Sequence, residues 1–232
     1  MSKSAFFCGL LLHLFLSCPC QSSAAEVLEQ HLYQRSFGTK ISTIAWQRLA
    51  GESERIVSEI GSEIDETEMG ANLATRAWQI SDPEKNTHLR IERQGERLRL
   101  KGRFKGERIE DEKRIDEAPW FQTMSISFRP FLASEDKQIR FWFVRPDTLD
   151  VHKLRAEKQG FEELLIQGLP VRAQKLELRL SGLAAPFWKA NYWFRAEDHL
   201  FLRYQGPGGL PGTPKIEVEL SSPLNEPDVV LR

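Results

Sequence analysis

The feature that most constrains this chain is a repeated alternation of apolar and charged residues along short segments. The alternation is clearest in residues 89–92, 98–101, 139–144, 176–180 and 216–220. Successive side chains of a β-strand point to opposite faces, so each of these segments is apolar on one face and mostly charged on the other. Antiparallel sheets with one solvated face have this pattern, whereas parallel strands buried on both faces have continuous apolar runs.

Residues that break strands lie between these segments at strand-like intervals. Regular spacing of this kind favours hairpins that follow one another along the chain. We therefore expect an all-β, mainly antiparallel fold: a strongly curved sheet or open half-barrel of about ten strands, with room for one short helix. The breakers are Gly38, Gly51, Asp82-Pro83, Gly95, Lys105-Gly106, Pro119, Pro146, Gly160, Gly168-Leu169-Pro170 and Glu197-Asp198.

Two segments leave the choice between helix and strand open. Residues 26–35 fit either a short N-terminal helix or a first strand. Residues 119–134 have room for one or two helical turns, although the MSISF run inside them alternates like a strand.

A charged hairpin with a Lys-Gly turn is expected over residues 96–114. A two-residue turn would place Lys101 opposite Glu110 and Arg99 opposite Glu112, which predicts a cross-strand salt ladder. The basic residues of this hairpin therefore indicate a solvated sheet face rather than a site for a polyanion.

Composition excludes several classes of protein. The 32 Lys and Arg residues nearly balance the 33 Asp and Glu residues, which excludes a strongly basic nucleic-acid-binding protein. All three cysteines lie in the first 20 residues, so the rest of the chain has no disulfide framework and no cysteine-based zinc site. The histidines are scattered singly. The sequence has no G-x-S-x-G nucleophile elbow, no P-loop and no G-x-G-x-x-G motif after a predicted strand. We expect a protein that is not an enzyme and that holds no metal or cofactor.

The first 25 residues have the pattern of a secretory signal peptide. Lys3 precedes an apolar stretch over residues 5–16, small residues follow, and cleavage is expected after Ala25. As a helix, this apolar stretch would cover about 18 Å of a hydrocarbon core roughly 30 Å thick, which is too short for a membrane anchor. We therefore expect an exported, periplasmic protein. The alternative is a membrane-anchored lipoprotein with a degenerate lipobox and a lipid on Cys18.

Two parts are expected after the signal peptide. Residues 26–222 would form a single β domain. Residues 223–232 contain two prolines and little periodicity, which indicates a flexible C-terminal tail. Contact with a membrane is expected only if Cys18 is lipidated.

Aromatic residues are concentrated near the C-terminal end of the chain. On one predicted strand, Tyr192 and Phe194 would face one way and Trp193 the other. Two interpretations remain open: a well-packed core hairpin, or one wall of an apolar ligand groove. The second interpretation gives the candidate ligand-binding residues Trp142, Trp188, Tyr192, Trp193, Phe194 and Tyr204.

A resemblance to a known family rests on two short runs of residues that are joined by an acidic turn. These runs are Tyr192-Trp193-Phe194 and Leu202-Arg203-Tyr204-Gln205-Gly206. The segment resembles the C-terminal half of a family of exported, periplasmic bacterial β-rich proteins of unknown function, best over residues 160–221. This resemblance implies an envelope location and an antiparallel, curved β structure, and it carries no catalytic residues. The turn departs from the family pattern, with Asp198-His199 where Asp-Gly is expected, which puts the turn type in question.

The leading functional hypothesis is a non-enzymatic binding or carrier module for an apolar or lipid-like ligand. The half-barrel of periplasmic lipoprotein carriers is an analogy at the level of fold. One alternative is a structural or interaction subunit of a cell-envelope complex, which would dock through a sheet edge or through the Gly/Pro-rich residues 206–214. Another is a hydrolase of envelope polymers, whose sign would be carboxylates that converge in one cleft. The expected partners are therefore a lipid or apolar small molecule, or an envelope protein, and no nucleic acid.

Overall fold

The computed structural model describes residues 25–181, 188–207 and 214–224. Almost all of the predicted signal peptide, including Cys18, lies outside the described residues. So do the tail beyond Leu224 and residues 208–213 of the Gly/Pro-rich segment. The expectations that concern these parts stay predictions.

The described residues form fourteen strands, so the expectation of about ten strands was too low. The expected all-β, antiparallel class is confirmed, because every strand belongs to one antiparallel sheet. The strands are β1 (Val27–Phe37), β2 (Lys40–Leu49), β3 (Arg55–Ile60), β4 (Glu63–Met69), β5 (Thr75–Asp82), β6 (Thr87–Gln94), β7 (Arg97–Phe104), β8 (Glu107–Arg114), β9 (Gln138–Val144), β10 (Val151–Ile166), β11 (Leu169–Leu180), β12 (Lys189–Arg195), β13 (Phe201–Pro207) and β14 (Lys215–Leu220).

Within the parts of the chain that the structure describes, helical structure is confined to the connection between β8 and β9, apart from one 3₁₀ turn at Ala71–Leu73. Helices α1 (Met124–Ser127) and α2 (Arg129–Ala133) follow one another across Phe128 as one short helical segment. The strand-like alternation of the MSISF run was therefore misleading. Within the described residues, no helix has the length and apolar character needed to cross a membrane.

The sheet order is β8-β7-β6-β5-β4-β3-β2-β1-β14-β13-β12-β11-β10-β9. Consecutive strands are neighbours throughout, except that β1 pairs with β14 and that β8 and β9 lie at opposite edges. Tyr33 of β1 stands opposite Leu220 of β14, so the two ends of the strand series meet in the middle of the sheet. The chain between β8 and β9 must therefore pass from one edge of the sheet to the other.

This connecting segment bridges strands that are far apart in the sheet order. The backbone N–H of Thr75 in β5 donates to the carbonyl of Trp120 at 2.7 Å. On the other side, the N–H of Phe121 donates to the carbonyl of Trp142 in β9 at 2.9 Å, and the N–H of Trp142 donates to Pro119 at 2.8 Å. The sheet is thus curved strongly enough to bring β9 close to β5, with the segment around Trp120 between them.

Curvature of the sheet creates two apolar cores. The larger core fills part of the concave face, where Ile126 and Phe128 of the helical segment pack against Phe141 of β9 and Phe194 of β12. The second core joins strands β5–β7 to the opposite face of β9, which contributes Val144. Strand β9 is therefore buried on both faces, although its sequence alternation predicted only one buried face.

The charged hairpin of β7 and β8 has the predicted register, with Lys101 opposite Glu110 and Arg99 opposite Glu112. Its turn is tight because Lys105 and Gly106 both have positive φ. The predicted ladder of directly opposed ion pairs is wrong. Instead, ion pairs join residues on a diagonal or two apart on one strand: Arg97–Glu112, Arg108–Glu110 and Lys113–Asp111.

Candidate functional site

The concave face holds a cavity with two adjoining lobes. The inner lobe has a volume of about 370 Å³ and the outer lobe about 420 Å³. Four residues line both lobes: Arg35, Phe143, Pro146 and Tyr204. The inner lobe is walled mainly by Tyr33, Trp46, Trp78, Tyr192, Phe201 and Val218, and the outer lobe by His152, Leu154, Leu180, Trp188, Pro207 and Ile216.

One row of directly opposed residues runs along the cavity wall across four strands. Arg35 of β1 faces Val218 of β14, Val218 faces Tyr204 of β13, and Tyr204 faces Tyr192 of β12. The rings of Tyr192 and Tyr204 pack edge to face, with centroids 4.8 Å apart. Side chains at directly opposed positions share a face of the sheet, so the pairing register alone brings these four together.

The absence of a side chain at Gly206 leaves room for the Tyr204 ring. A Cβ atom at this position would overlap the Tyr204 hydroxyl and would lie 3.1 Å from the Cβ of Ala190. The Tyr204 side chain therefore leans along its own strand over Gly206, where any larger residue would displace it. The Leu-Arg-Tyr-Gln-Gly run thus places an aromatic wall residue beside the glycine that accommodates it.

Three of the six candidate ligand-binding residues line the cavity. Tyr192 lies in the inner lobe, Trp188 in the outer lobe and Tyr204 in both. Phe194 is on the same face as Tyr192, as predicted, but it is fully buried in the larger core against Phe128 and Phe201.

The other two candidates lie on the opposite face of the sheet and do not line the cavity. Trp142 donates its indole N–H to Asp116 at 2.7 Å, and the Lys153 ammonium lies 5.4 Å from its ring centre. Trp193 donates its indole N–H to Glu162 on the long β10–β11 hairpin, which folds over this face. Neither tryptophan is placed to contact a ligand in the cavity.

Several cavity residues were missed because they come from the first half of the chain. Tyr33, Trp46 and Trp78 are isolated aromatics on three different strands, so no local cluster marks them. A period-two signal was nevertheless present. Ile44 and Trp46 alternate on β2, and Tyr33 and Arg35 alternate on β1.

A polar patch forms one wall of the inner lobe. The indole N–H of Trp78 donates to the Asp65 carboxyl at 3.0 Å, and the Lys85 ammonium donates to Glu63 at 2.9 Å. Burial, together with the charge of Glu63, raises the pKa of Asp65 to about 7 despite the hydrogen bond from Trp78. Near neutral pH, the Asp65 carboxyl is therefore protonated in a large fraction of molecules.

Tyr192 and Tyr204 of the cavity wall keep their phenol protons at physiological pH. Burial raises the pKa of Tyr204 to about 12, although the positive charge of Arg35 lowers it. Burial also raises the pKa of Tyr192 well above its usual value, with a further rise from Tyr204. The wall therefore offers neutral aromatic surface with phenol groups that can donate hydrogen bonds.

The helical segment is tied to the cavity wall by a charged group on β1. Glu29 accepts hydrogen bonds from Arg129 of α2 at 2.8 and 2.5 Å and from the His31 ring at 2.9 Å. Burial raises the pKa of Glu29, but the hydrogen bonds and charges of His31 and Arg129 outweigh it and lower the pKa to about 2. The His31 ring in turn stacks on Trp46 at 5.7 Å, so the group reaches the inner lobe.

The donor groups of this site do not form a metal centre. Within residues 25–181, 188–207 and 214–224, there is no group of three or more His, Cys, Asp or Glu side chains that could hold a metal ion. Glu63 and Asp65 are two carboxyl groups that line one cavity. Aromatic surface, three phenols and two guanidinium groups make up most of the remaining chemistry.

The comparisons with known proteins identify a fold. No protein-family model and no curated protein sequence matches the chain. Among solved structures, it is similar to a beta-barrel-like protein of the domain of unknown function DUF1849 from Brucella abortus. That similarity has 7% identity and a TM-score of 0.50, and covers 83% of this chain and 94% of the other. It is also similar to the hypothetical lipoprotein YmcC from Escherichia coli (K12), with 11% identity, a TM-score of 0.41, and coverage of 84% and 85%.

The Brucella protein is bacterial, β-rich and of unknown function, which agrees with the resemblance that the C-terminal residues carried. The likeness to the Brucella protein confirms the curved, antiparallel all-β architecture, and at this identity it extends to the fold alone.

Proposed function

We propose that this protein is an exported, non-enzymatic carrier of the bacterial cell envelope that binds an apolar or lipid-like ligand inside its curved sheet. The observation that carries the proposal is the two-lobed cavity. Each lobe, at about 370 and 420 Å³, has the size of a small-molecule site, and the walls are largely aromatic and aliphatic. The signal-peptide pattern of residues 1–25 supports the location.

The concave face is divided between packed core and open cavity. Phe128, Phe141 and Phe194 fill the part of the face near the helical segment. Tyr192 and Tyr204 lie at the border, where they contact each other and line the cavity. An apolar ligand would extend the packed core into the open part.

Burial of an acyl chain in this cavity would be favourable. Each buried methylene contributes about 0.8 kcal/mol, so roughly fifteen of them would contribute about 12 kcal/mol. Loss of translational and rotational freedom costs at least about 4 kcal/mol, which leaves a net gain of about 8 kcal/mol. We therefore expect dissociation constants in about the micromolar range for long single-chain ligands.

The test is a titration of the purified mature protein with a fluorescent fatty acyl probe. Val218→Phe places a larger side chain between Arg35 and Tyr204 and should weaken binding of the probe at least about tenfold. Val57→Phe is the matched control, because Val57 lies on β3 next to the cavity residue Ser58 and faces the other way. Its affinity should equal that of the wild type.

Two results would refute the carrier function. One is a wild-type protein that binds no probe. The other is equal binding by the wild type and Val218→Phe, which would place the probe outside the cavity.

A second candidate function is an interaction subunit of an envelope complex, and an exposed apolar tip favours it. At the end of the β10–β11 hairpin, Phe161, Leu165 and Leu169 are 54, 64 and 51% exposed. Exposed apolar groups of this kind suit a protein interface. A pull-down from detergent-solubilised envelope separates the candidates, since a carrier should retain lipid and a subunit should retain protein.

The two carboxyl groups of the inner lobe give a hydrolase of envelope polymers one supporting observation. Glu63 is engaged by Lys85, which leaves Asp65, with its raised pKa, as the group able to donate a proton. A hydrolase would release soluble fragments from purified envelope polymer, and Asp65→Asn would abolish that release. A carrier would release none with either form of the protein.

A further inference from the structure

Arg35 lies at the junction of the two lobes. Of the four described residues that line both, it is the charged one. Strand pairing sets its place, because β1 holds it opposite Val218 and the next residue across is Tyr204. Its side chain is half-buried beside Val218.

Arg35 differs from the other charged residues of the cavity in lacking a partner. Glu63 accepts a hydrogen bond from Lys85 at 2.9 Å, and Arg145 of the outer lobe pairs with Asp147 at 2.6 Å. In the described parts of the chain, Arg35 forms no salt bridge within 4.0 Å and no side-chain hydrogen bond. An oxyanion with two acceptor oxygens would give this guanidinium a charge-assisted, bidentate partner.

We propose that Arg35 binds the oxyanion head group of a single-chain amphiphile whose acyl chain occupies the aromatic-walled cavity. The inference rests on the proposed carrier function and adds a requirement for negative charge on the ligand. The acidic residues Glu63 and Asp65 line the inner lobe only, so they disfavour the head group there and favour it at the junction. The phenol of Tyr204, which keeps its proton, can donate a second hydrogen bond to the same head group.

The test compares a fluorescent fatty acid with its neutral methyl ester, both titrated into the mature protein at pH 8. The wild type should bind the acid at least about tenfold more tightly than the ester, since a charge-assisted bidentate contact has about that value. Arg35→Gln should lose this preference and bind both probes like the ester. Arg35→Lys should keep part of it, because the positive charge remains while the bidentate geometry is lost.

Arg97→Gln is the matched control. Arg97 lies on the β7–β8 hairpin outside the residues that line either lobe, and its guanidinium is paired with Glu112 at 2.9 Å, so its replacement should leave the preference for the acid intact. Equal affinity of the wild type for acid and ester would refute the role of Arg35 and leave the carrier function standing. So would an Arg35→Gln protein that keeps the preference. Failure of both probes to bind the wild type would instead refute the carrier function itself.

Competition experiments identify the oxyanion. Laurate and dodecyl phosphate carry the same chain length with a carboxylate or a phosphate, and either should displace the bound probe from the wild type. The stronger competitor defines the head group. If neutral dodecanol displaced the probe as effectively as both anions do, the proposal would be contradicted.

Discussion

Replacement of Glu29 by glutamine removes the carboxylate that ties α2 to β1. In the folded protein the side chain of Glu29 is 17% exposed, and it accepts two hydrogen bonds from Arg129, 100 residues away in sequence. Its pKa falls from 4.5 to about 2 on folding. At about 1.4 kcal/mol for each pKa unit, the ionised carboxylate contributes about 3 kcal/mol to the free energy of unfolding.

The sign of the pH dependence follows from the direction of the shift. Because the folded-state pKa lies below the unfolded value, the contribution is fully present above about pH 4.5 and is lost as the pH falls toward about 2. Urea denaturation of the mature protein, followed by tryptophan fluorescence, should show Glu29→Gln about 3 kcal/mol less stable than the wild type at pH 7. The difference should be much smaller at pH 3.

The matched control is Glu112→Gln on the β7–β8 hairpin. Its partner Arg97 has a side chain that is 67% exposed, and exposed ion pairs of this kind contribute less than about 1 kcal/mol. Equal losses of stability in Glu29→Gln and Glu112→Gln would show that the Glu29 carboxylate contributes no more than an exposed ion pair. A Glu29→Gln deficit that is as large at pH 3 as at pH 7 would also refute the predicted contribution, because it would then not come from the carboxylate.

Two further predictions concern positions on β4 and β7. Gly102→Ala should lower the free energy of unfolding by about 2 kcal/mol or more in urea denaturation. Gly102 has a φ of 143°, and a Cβ there would overlap the His88 carbonyl oxygen. The control is Gly95→Ala, which should cost only about 1 kcal/mol because the space around a Cβ at Gly95 is open. Asp65→Asn should stabilise the protein by about 4 kcal/mol at pH 8, from about three pKa units at about 1.4 kcal/mol each, and not at pH 3. The raised pKa of Asp65 means that wild-type stability falls between about pH 4 and pH 7, and a flat difference across this range would contradict that.

The fold class and one register could be predicted because they depend on local pattern. Alternation over residues 89–114 defines strands, and the Lys105-Gly106 turn fixes which residues stand opposite one another. The strand count was low because β3 and β4 are short strands without clear alternation. The helix at Met124–Ser127 was ambiguous, since its residues alternate like a strand in the sequence, whereas in the structure Met124 and Ile126 of this helix both lie in the larger core.

Three of the six candidate residues predicted from the sequence line the cavity, and the curvature of the sheet explains why the other three do not. The sequence correctly indicates that Tyr192 and Phe194 share one face and that Trp193 takes the other. It contains no signal for which face is concave, or for how far the core extends before the cavity begins. Arg35 was missed for a related reason, because its isolation from acidic residues exists only after β1 pairs with β14.

The most direct test of the carrier function is a crystal structure of the mature protein with a fatty acid that carries bromine at the end of its chain. A carrier should show an anomalous bromine peak inside the cavity, against the aromatic wall formed by Tyr192 and Tyr204. A cavity filled by side chains, or a bromine peak only at the exposed hairpin residues Phe161 and Leu165, would contradict the carrier function.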